Sequence, residues 1–91
     1  MLYELRYHPD VRDVDIPKLN QTARKRIKKA IEDRLSISPH QYGVPLRKTL
    51  KGYWKLRVGD YRVVFKIERN EVLIFAIVNR RDVYKSIFKR I

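Results

Sequence analysis

The feature that most restricts this chain is a pair of β-prone runs separated by two residues. Tyr53–Val58 and Tyr61–Ile67 flank Gly59-Asp60. Glycine at the first position of a two-residue loop suits a type II′ turn, whose twist matches that of the strands it joins. Such a short loop fixes the register. It sets Val58 against Tyr61, Arg57 against Arg62, Leu56 against Val63, Lys55 against Val64, Trp54 against Phe65 and Tyr53 against Lys66. Residues opposed across an antiparallel pair share a face. One face is therefore Val58, Tyr61, Leu56, Val63, Trp54 and Phe65, a core face. The other is Arg57, Arg62, Lys55, Val64, Tyr53 and Lys66, which is basic with one aromatic.

The rest of the chain organises around this hairpin. Leu2–Tyr7 alternates as a half-buried strand does, with Tyr3, Leu5 and Tyr7 on one side. His8-Pro9-Asp10 breaks it, and a short helical turn follows before Pro17. Asn20 is placed to cap a longer helix. In that helix Ala23, Ile27, Ala30, Ile31 and Leu35 form an apolar face, and Arg24, Lys25, Arg26, Lys28 and Lys29 the outer one. Ser38-Pro39 ends it, and Ser36–Val44 reads as the least ordered stretch. Beyond the hairpin, Arg69-Asn70 is a turn. Val72–Val78 is apolar on both faces and reads as a covered central strand completing a three-stranded meander. Asp82–Ile91 repeats Val83, Ile87 and Ile91 at helical spacing, a short C-terminal helix. The order β–α–β–β–β–α predicts an α+β fold, with an N-terminal helical hairpin or one long helix packed on a small, mainly antiparallel sheet.

At 91 residues the chain reads as one domain, 1–91. It has no cysteine, which excludes disulfides, zinc–thiolate sites and thiol nucleophiles. Val72–Val78, the longest apolar run, is too short to span a membrane, and the N-terminal residues lack the order of a signal peptide. The expectation is a cytoplasmic protein without a membrane partner. Charge then narrows the function. Lys and Arg number 22 against 10 Asp and Glu, a net +12. Residues 47–69 carry a net +6 and residues 79–91 a net +4, so 36 residues hold ten of the twelve excess charges. A folded domain with such a surface meets a polyanion.

Arg57 directly opposite Arg62 costs up to about 1 kcal/mol. Two accounts fit: an anion bound between them, or a solvated edge hairpin whose charges block aggregation. Arg80 and Arg81 follow the strand that neighbours the hairpin, with Tyr84 close behind. Guanidinium forks suit phosphates, and tyrosine suits base stacking. Against this stands a bland arrangement in which Tyr84 packs on the sheet and Arg80 pairs with Asp82. His8 and His40 flank the long helix outside these motifs, so a two-histidine ribonuclease site is not expected. No carboxylate or histidine cluster suggests a metal or other cofactor.

At Gly59-Asp60-Tyr61-Arg62-Val63-Val64-Phe65 and Val78-Asn79-Arg80-Arg81-Asp82-Val83-Tyr84-Lys85 the sequence resembles the RelE/ParE family of toxin–antitoxin toxins. Leu50-Lys51-Gly52-Tyr53-Trp54-Lys55-Leu56-Arg57 matches that family's approach to its hairpin. The resemblance runs over almost the whole chain and implies a small RelE-like fold. It implies a toxin that enters the ribosomal A site and cuts the mRNA codon there, without metal, by attack of the RNA 2′-OH on the adjacent phosphate. Lys55, Arg62, Arg80 and Tyr84 match the family's catalytic positions. Arg57 and Arg81 flank them, and Tyr53, Lys66 and Lys51 extend the phosphate- and RNA-binding surface. Lys55 is the candidate base, Arg62 and Arg80 hold the non-bridging oxygens, and the acid is Tyr84 or Arg81. The partners implied are a cognate RelB-like antitoxin, the ribosome and the mRNA. Asn79 stands where relatives commonly carry His or Lys and cannot shuttle a proton; Tyr53 replaces a lysine. The alternatives are a ParE-like inhibitor of DNA gyrase without nuclease activity and a silent family member that only binds its antitoxin.

Overall fold

A computed structural model describes residues 2–47 and 51–91 of the chain. Five strands form one sheet in the order β1-β5-β4-β3-β2. They are β1 (Glu4–Tyr7), β2 (Val44–Pro45), β3 (Tyr53–Val58), β4 (Tyr61–Glu68) and β5 (Glu71–Asn79). Every pair is antiparallel except β1 with β5, which is parallel. The β3–β4 register matches the sequence expectation at all six pairs, Arg57 opposite Arg62 included. Gly59 has φ +61°, as the first position of a type II′ turn requires. The meander is thus the inner part of a larger sheet. β5 is an interior strand between β1 and β4, and β4 is the middle one.

The helices differ more from expectation. The short turn expected before Pro17 is instead two pieces that run through it: a wide π-type segment Val11–Asp15 and a 3₁₀ turn Ile16–Lys18 that contains Pro17. α1 (Gln21–Ala30) follows, and its Arg24 Nε donates back to the Ile16 carbonyl at 3.1 Å, tying it to the preceding turn. Asn20 caps α1 as its sequence suggests, its side-chain oxygen accepting the Ala23 N–H at 2.8 Å. The helix continues through π-type turns Ile31–Leu35. It ends at Leu35, before Ser38-Pro39, and Pro39 instead starts the short α2 (Pro39–Tyr42), in keeping with proline's fitness for a first helical turn. The stretch read as least ordered is therefore folded, with Ser36 and Pro39 buried. The C-terminal helix α3 spans Val83–Arg90.

Two cores result, one on each side of the sheet. The larger joins Val11, Leu19, Ile27, Ile31 and Leu35 of the helices to Leu56, Val58, Val63, Phe65, Val72, Ile74 and Ile77. The smaller lies under α3, where Val83 and Ile87 meet Leu46, Val64, Phe75 and Ala76. The hairpin face read as basic with one aromatic also has an apolar centre, because Val64 is fully buried there. Beside it the β4–β5 ladder bulges. The register slips between Val64 and Phe65, so Val64 pairs with Ala76 and Phe65 with Ile74. Phe75 is the extra residue, and it joins Ala76 in the smaller core instead of alternating away.

Candidate nucleic-acid interface

The α3 helix covers only part of its side of the sheet. On β3 and β4 it leaves a strip of Tyr53, Lys55, Arg57, Arg62 and Lys66, all on one face by register. Lys55 is its centre: Tyr53 and Arg57 flank it along the strand, and Arg62 and Lys66 lie diagonally across the ladder, roughly 7–8 Å away for such positions. Directly opposite Lys55 is the buried Val64, so Lys55 stands where the small core gives way to solvent.

The two basic stretches of the sequence meet at one end of the sheet. Tyr61 pairs with Asn79, and the Arg80 N–H donates to the Asp60 carbonyl at 2.9 Å, tying the corner after β5 to the hairpin turn. This gathers Arg57, Arg62, Arg80 and Arg81 at that end. Arg62 is held by the turn itself: its Nη1 donates to the carbonyls of Gly59 (3.1 Å) and Tyr61 (2.9 Å). Nη1 is thereby occupied, and the Nη2 and Nε donors of the guanidinium remain for an anion. The paired carbonyls also offset the repulsion from Arg57. Asn79 Oδ1 accepts from the Arg81 N–H (3.1 Å) and its Nε (3.4 Å), so Asn79 orients an arginine. Among the described residues no carboxylate lies within ion-pair distance of Lys55, Arg57, Arg62, Arg80 or Arg81; Arg80 and Asp82 form no pair.

At the other margin Tyr84 is half-buried against the small core, and the Arg47 guanidinium lies 4.8 Å from its ring centroid. Lys66 sits 5.2 Å from the Tyr53 ring and also reaches Glu68 at 3.6 Å. Tyr53 packs edge-on against Phe75, ring centroids 5.1 Å apart, so its ring helps to close the core as well as line the strip. Lys51 is exposed just before β3. Leu50 of the hairpin approach and Lys48 of the basic stretch lie outside the described residues. His8 Nδ1 accepts the Asp10 N–H at 3.0 Å, and His40 packs edge-on against Trp54 in the larger core's margin. Among the described residues no group of three or more His, Cys, Asp or Glu side chains could hold a metal ion, and no helix is long and apolar enough to cross a membrane.

Sequence reasoning missed Arg47, Asp15 and Arg90. Arg47 was one charge in a basic run; its stacking on Tyr84 depends on the β2–β3 contact, where the Leu46 N–H donates to the Tyr53 carbonyl. Asp15 and Arg90 form a buried pair 75 residues apart, with no local signal at either end.

The fold and this strip define a small α+β protein with an arginine-rich sheet end flanked by a C-terminal helix. The family profile described as ParE toxin of type II toxin–antitoxin system, parDE, matches residues 6–84, and the chain belongs to this family within the RelE/ParE toxin superfamily. Toxin RelG of Mycobacterium tuberculosis is 38% identical over 53 residues, which cover 56% of this chain and 61% of that protein. Toxin RelE of the same organism is 42% identical over 50 residues, covering 53% and 52%. The chain thus spans little more than half the length of these curated relatives. Among solved structures, the toxin–antitoxin complex RelBE2 from Mycobacterium tuberculosis contains a chain similar at TM-score 0.80 and 28% identity, covering 88% of this chain and all of that one. The isolated E. coli RelE toxin shares the fold at TM-score 0.69 and 22% identity, covering 97% of each.

Proposed function

We propose that this chain, acting as one domain of residues 1–91 in the cytoplasm, is the toxin of a type II toxin–antitoxin pair and a ribosome-dependent mRNA endonuclease. The observation that carries this reading is the arginine-rich sheet end beside the Lys55 strip, where Arg57, Arg62, Arg80 and Arg81 have no carboxylate partner among the described residues. In the reaction the RNA 2′-oxygen attacks the adjacent phosphorus and the bond to the 5′-oxygen breaks, leaving a cyclic phosphate and a 5′-OH. Arg62, held on the turn carbonyls with its remaining donors outward, and Arg80 bind the non-bridging oxygens as charge builds in the transition state. Lys55, as the neutral amine, takes the 2′-OH proton; Tyr84 or Arg81 protonates the leaving oxygen. Tyr53 stacks on a base, while Lys51, Lys66 and Arg57 hold flanking phosphates. The strip is open, so the ribosome supplies substrate orientation and excludes water. The solved RelE–RelB complexes among the structural neighbours support a RelB-like antitoxin as partner.

The test is primer extension on mRNA mixed with programmed ribosomes, with naked mRNA and with an Arg62→Ala variant. Cuts in the A-site codon only with ribosomes are expected, falling about 10²–10³-fold in the variant, the usual cost of one transition-state donor. Undiminished cleavage by Arg62→Ala would refute the assignment. One observation favours a second reading: the matching profile is that of ParE toxins. A ParE-like chain would inhibit DNA gyrase without cutting RNA. Loss of supercoiling activity with translation intact would establish it.

A further inference from the structure

The N-terminal helical segment and the end of α3 meet in a polar cluster that the proposed reaction does not use. β1 covers β5 only as far as Ile74. Beyond it, on that side, the Ile77 N–H has no strand partner and donates instead to Asp15 Oδ2 at 2.8 Å. Asp15 is 4% exposed. Arg90, in the last turn of α3, donates Nη1 to the same Oδ2 (2.8 Å) and Nη2 to Oδ1 (2.5 Å), a bidentate fork. Its Nη1 also donates to the Phe75 carbonyl at 2.9 Å, and Nε faces the Asp10 carboxylate at 3.6 Å. Phe75 is the bulge residue, so the irregularity that builds the small core also turns this carbonyl toward the helix.

An eight-residue helix is marginal by itself. Two buried side chains, Val83 and Ile87, hold α3 to the sheet, and apolar contacts resist sliding poorly because they lack direction. The bidentate pair supplies direction. Buried ion pairs replaced together by apolar groups are commonly neutral for stability, so the service of this one is geometric.

We propose that Asp15 and Arg90 are positioning residues for the candidate site: their pair, locked to the Phe75 carbonyl, clamps α3 at the β5 edge and holds Tyr84 at the flank of the Lys55 strip. The last clause rests on the reading of Tyr84 as a site residue. The test uses the full chain carrying D15N/R90M together. An asparagine amide oxygen can still accept the Ile77 N–H, and no unpaired charge is buried. Hydrogen exchange of the α3 amides is expected to accelerate at least about tenfold while β3–β5 stay protected. Cleavage on ribosomes is expected to fall about 10- to 100-fold. In a Tyr84→Ala background the same pair of substitutions should cost nothing further, because there is no longer a ring to misplace. Arg90→Lys, which keeps the charge but not the fork, should recover part of both readouts and serves alone if the double variant does not fold. Unchanged α3 exchange overturns the clamp, and an equal loss of cleavage in the Tyr84→Ala background overturns positioning. Faster exchange together with full cleavage by Tyr84→Ala overturns the assignment of Tyr84 and leaves the clamp standing. If the wild-type chain cuts no RNA, the nuclease reading fails and exchange alone decides the clamp.

Discussion

Gly43→Ala tests how tightly the connection between the long helix and the hairpin is packed. Gly43 has φ −90° and ψ 163°, an extended conformation open to any residue, so alanine brings no backbone strain. Replacing glycine there would by itself stabilise by about 0.4–1 kcal/mol, through a less flexible unfolded chain. The obstacle is steric. A Cβ at this position would stand 2.5 Å from Phe65 Cζ, 3.2 Å from its Cε1 and 3.0 Å from the Pro39 carbonyl oxygen. Ordinary contact needs close to 1 Å more at Cζ. Phe65 is fully buried and stacked on Trp54, so the ring has no empty space to enter. The Pro39 carbonyl is fixed too, since it accepts the Gly43 N–H. Overpacking of this kind costs about 1–3 kcal/mol. It exceeds the entropic gain, leaving a net loss of about 1–2 kcal/mol. With a urea m-value of about 1–3 kcal/mol/M, the unfolding midpoint should drop by roughly 0.3–2 M. In a Phe65→Leu background, where the ring atoms are gone, the same substitution should cost less, since only the Pro39 carbonyl contact remains. A Gly43→Ala midpoint equal to or above wild type would refute the packing argument.

Arg69, in the β4–β5 turn, has φ +54°. Arg69→Gly should relieve about 1 kcal/mol of left-handed strain and lose part of it to unfolded-state entropy, raising Tm by a few degrees in a thermal melt. Burial first, then the nearby Glu32 charge, raises the Tyr7 hydroxyl above its usual 10.0. The neutral form is favoured in the fold, so this stability is complete below pH 10 and is lost as pH climbs through the raised value. Tyr7→Phe should remove that alkaline loss, seen as a smaller fall in urea midpoint between about pH 9 and about pH 11.

What the sequence made legible was local. Gly59-Asp60 determined six strand pairs because a two-residue loop leaves no freedom of register, and Asn20 announced the start of α1 because its cap bond reaches only to Ala23. Contacts between distant residues left no such mark. The parallel pairing of β1 with β5 joins Glu4 to Glu71, and nothing within four residues of Glu4 encodes it. The bulge at Phe75 was equally silent, since a bulge is a property of two strands together. Nor did the basic hairpin face show that its Val64 lies buried in the small core under α3. At the site, the motif residues Arg62, Arg80 and Tyr84 were visible, but not what holds them. Arg62 is fixed by carbonyls and Tyr84 is covered by Arg47, and neither acceptor nor cover has a pattern in the chain.

The manner in which these cations are held bears on what the surface can do. A carboxylate partner would fix a guanidinium and cancel its charge. Here Arg62 rests on two backbone carbonyls, Arg47 on the face of Tyr84, and Arg81 on the Asn79 amide oxygen. Each acceptor is neutral, so the side chain is oriented and its full positive charge stays available. Of the strip's cations only Lys66 meets a carboxylate among the described residues, Glu68 at 3.6 Å; other paired acids, such as Glu71 with Arg6, Asp33 with Lys29 and Asp15 with Arg90, lie away from the arginine-rich end. Arg62, Arg47 and Arg81 are thus oriented by neutral dipoles and a ring rather than by carboxylates. A carboxylate introduced beside the arginine-rich end, as by Asn79→Asp, would pair with Arg81 and cancel charge while leaving the fold in place. Binding of RNA to such a variant should lose affinity and show a salt dependence shallower by about one phosphate contact, a change in slope near 0.7 for single strands. An unchanged slope would mean that Arg81 never meets a phosphate.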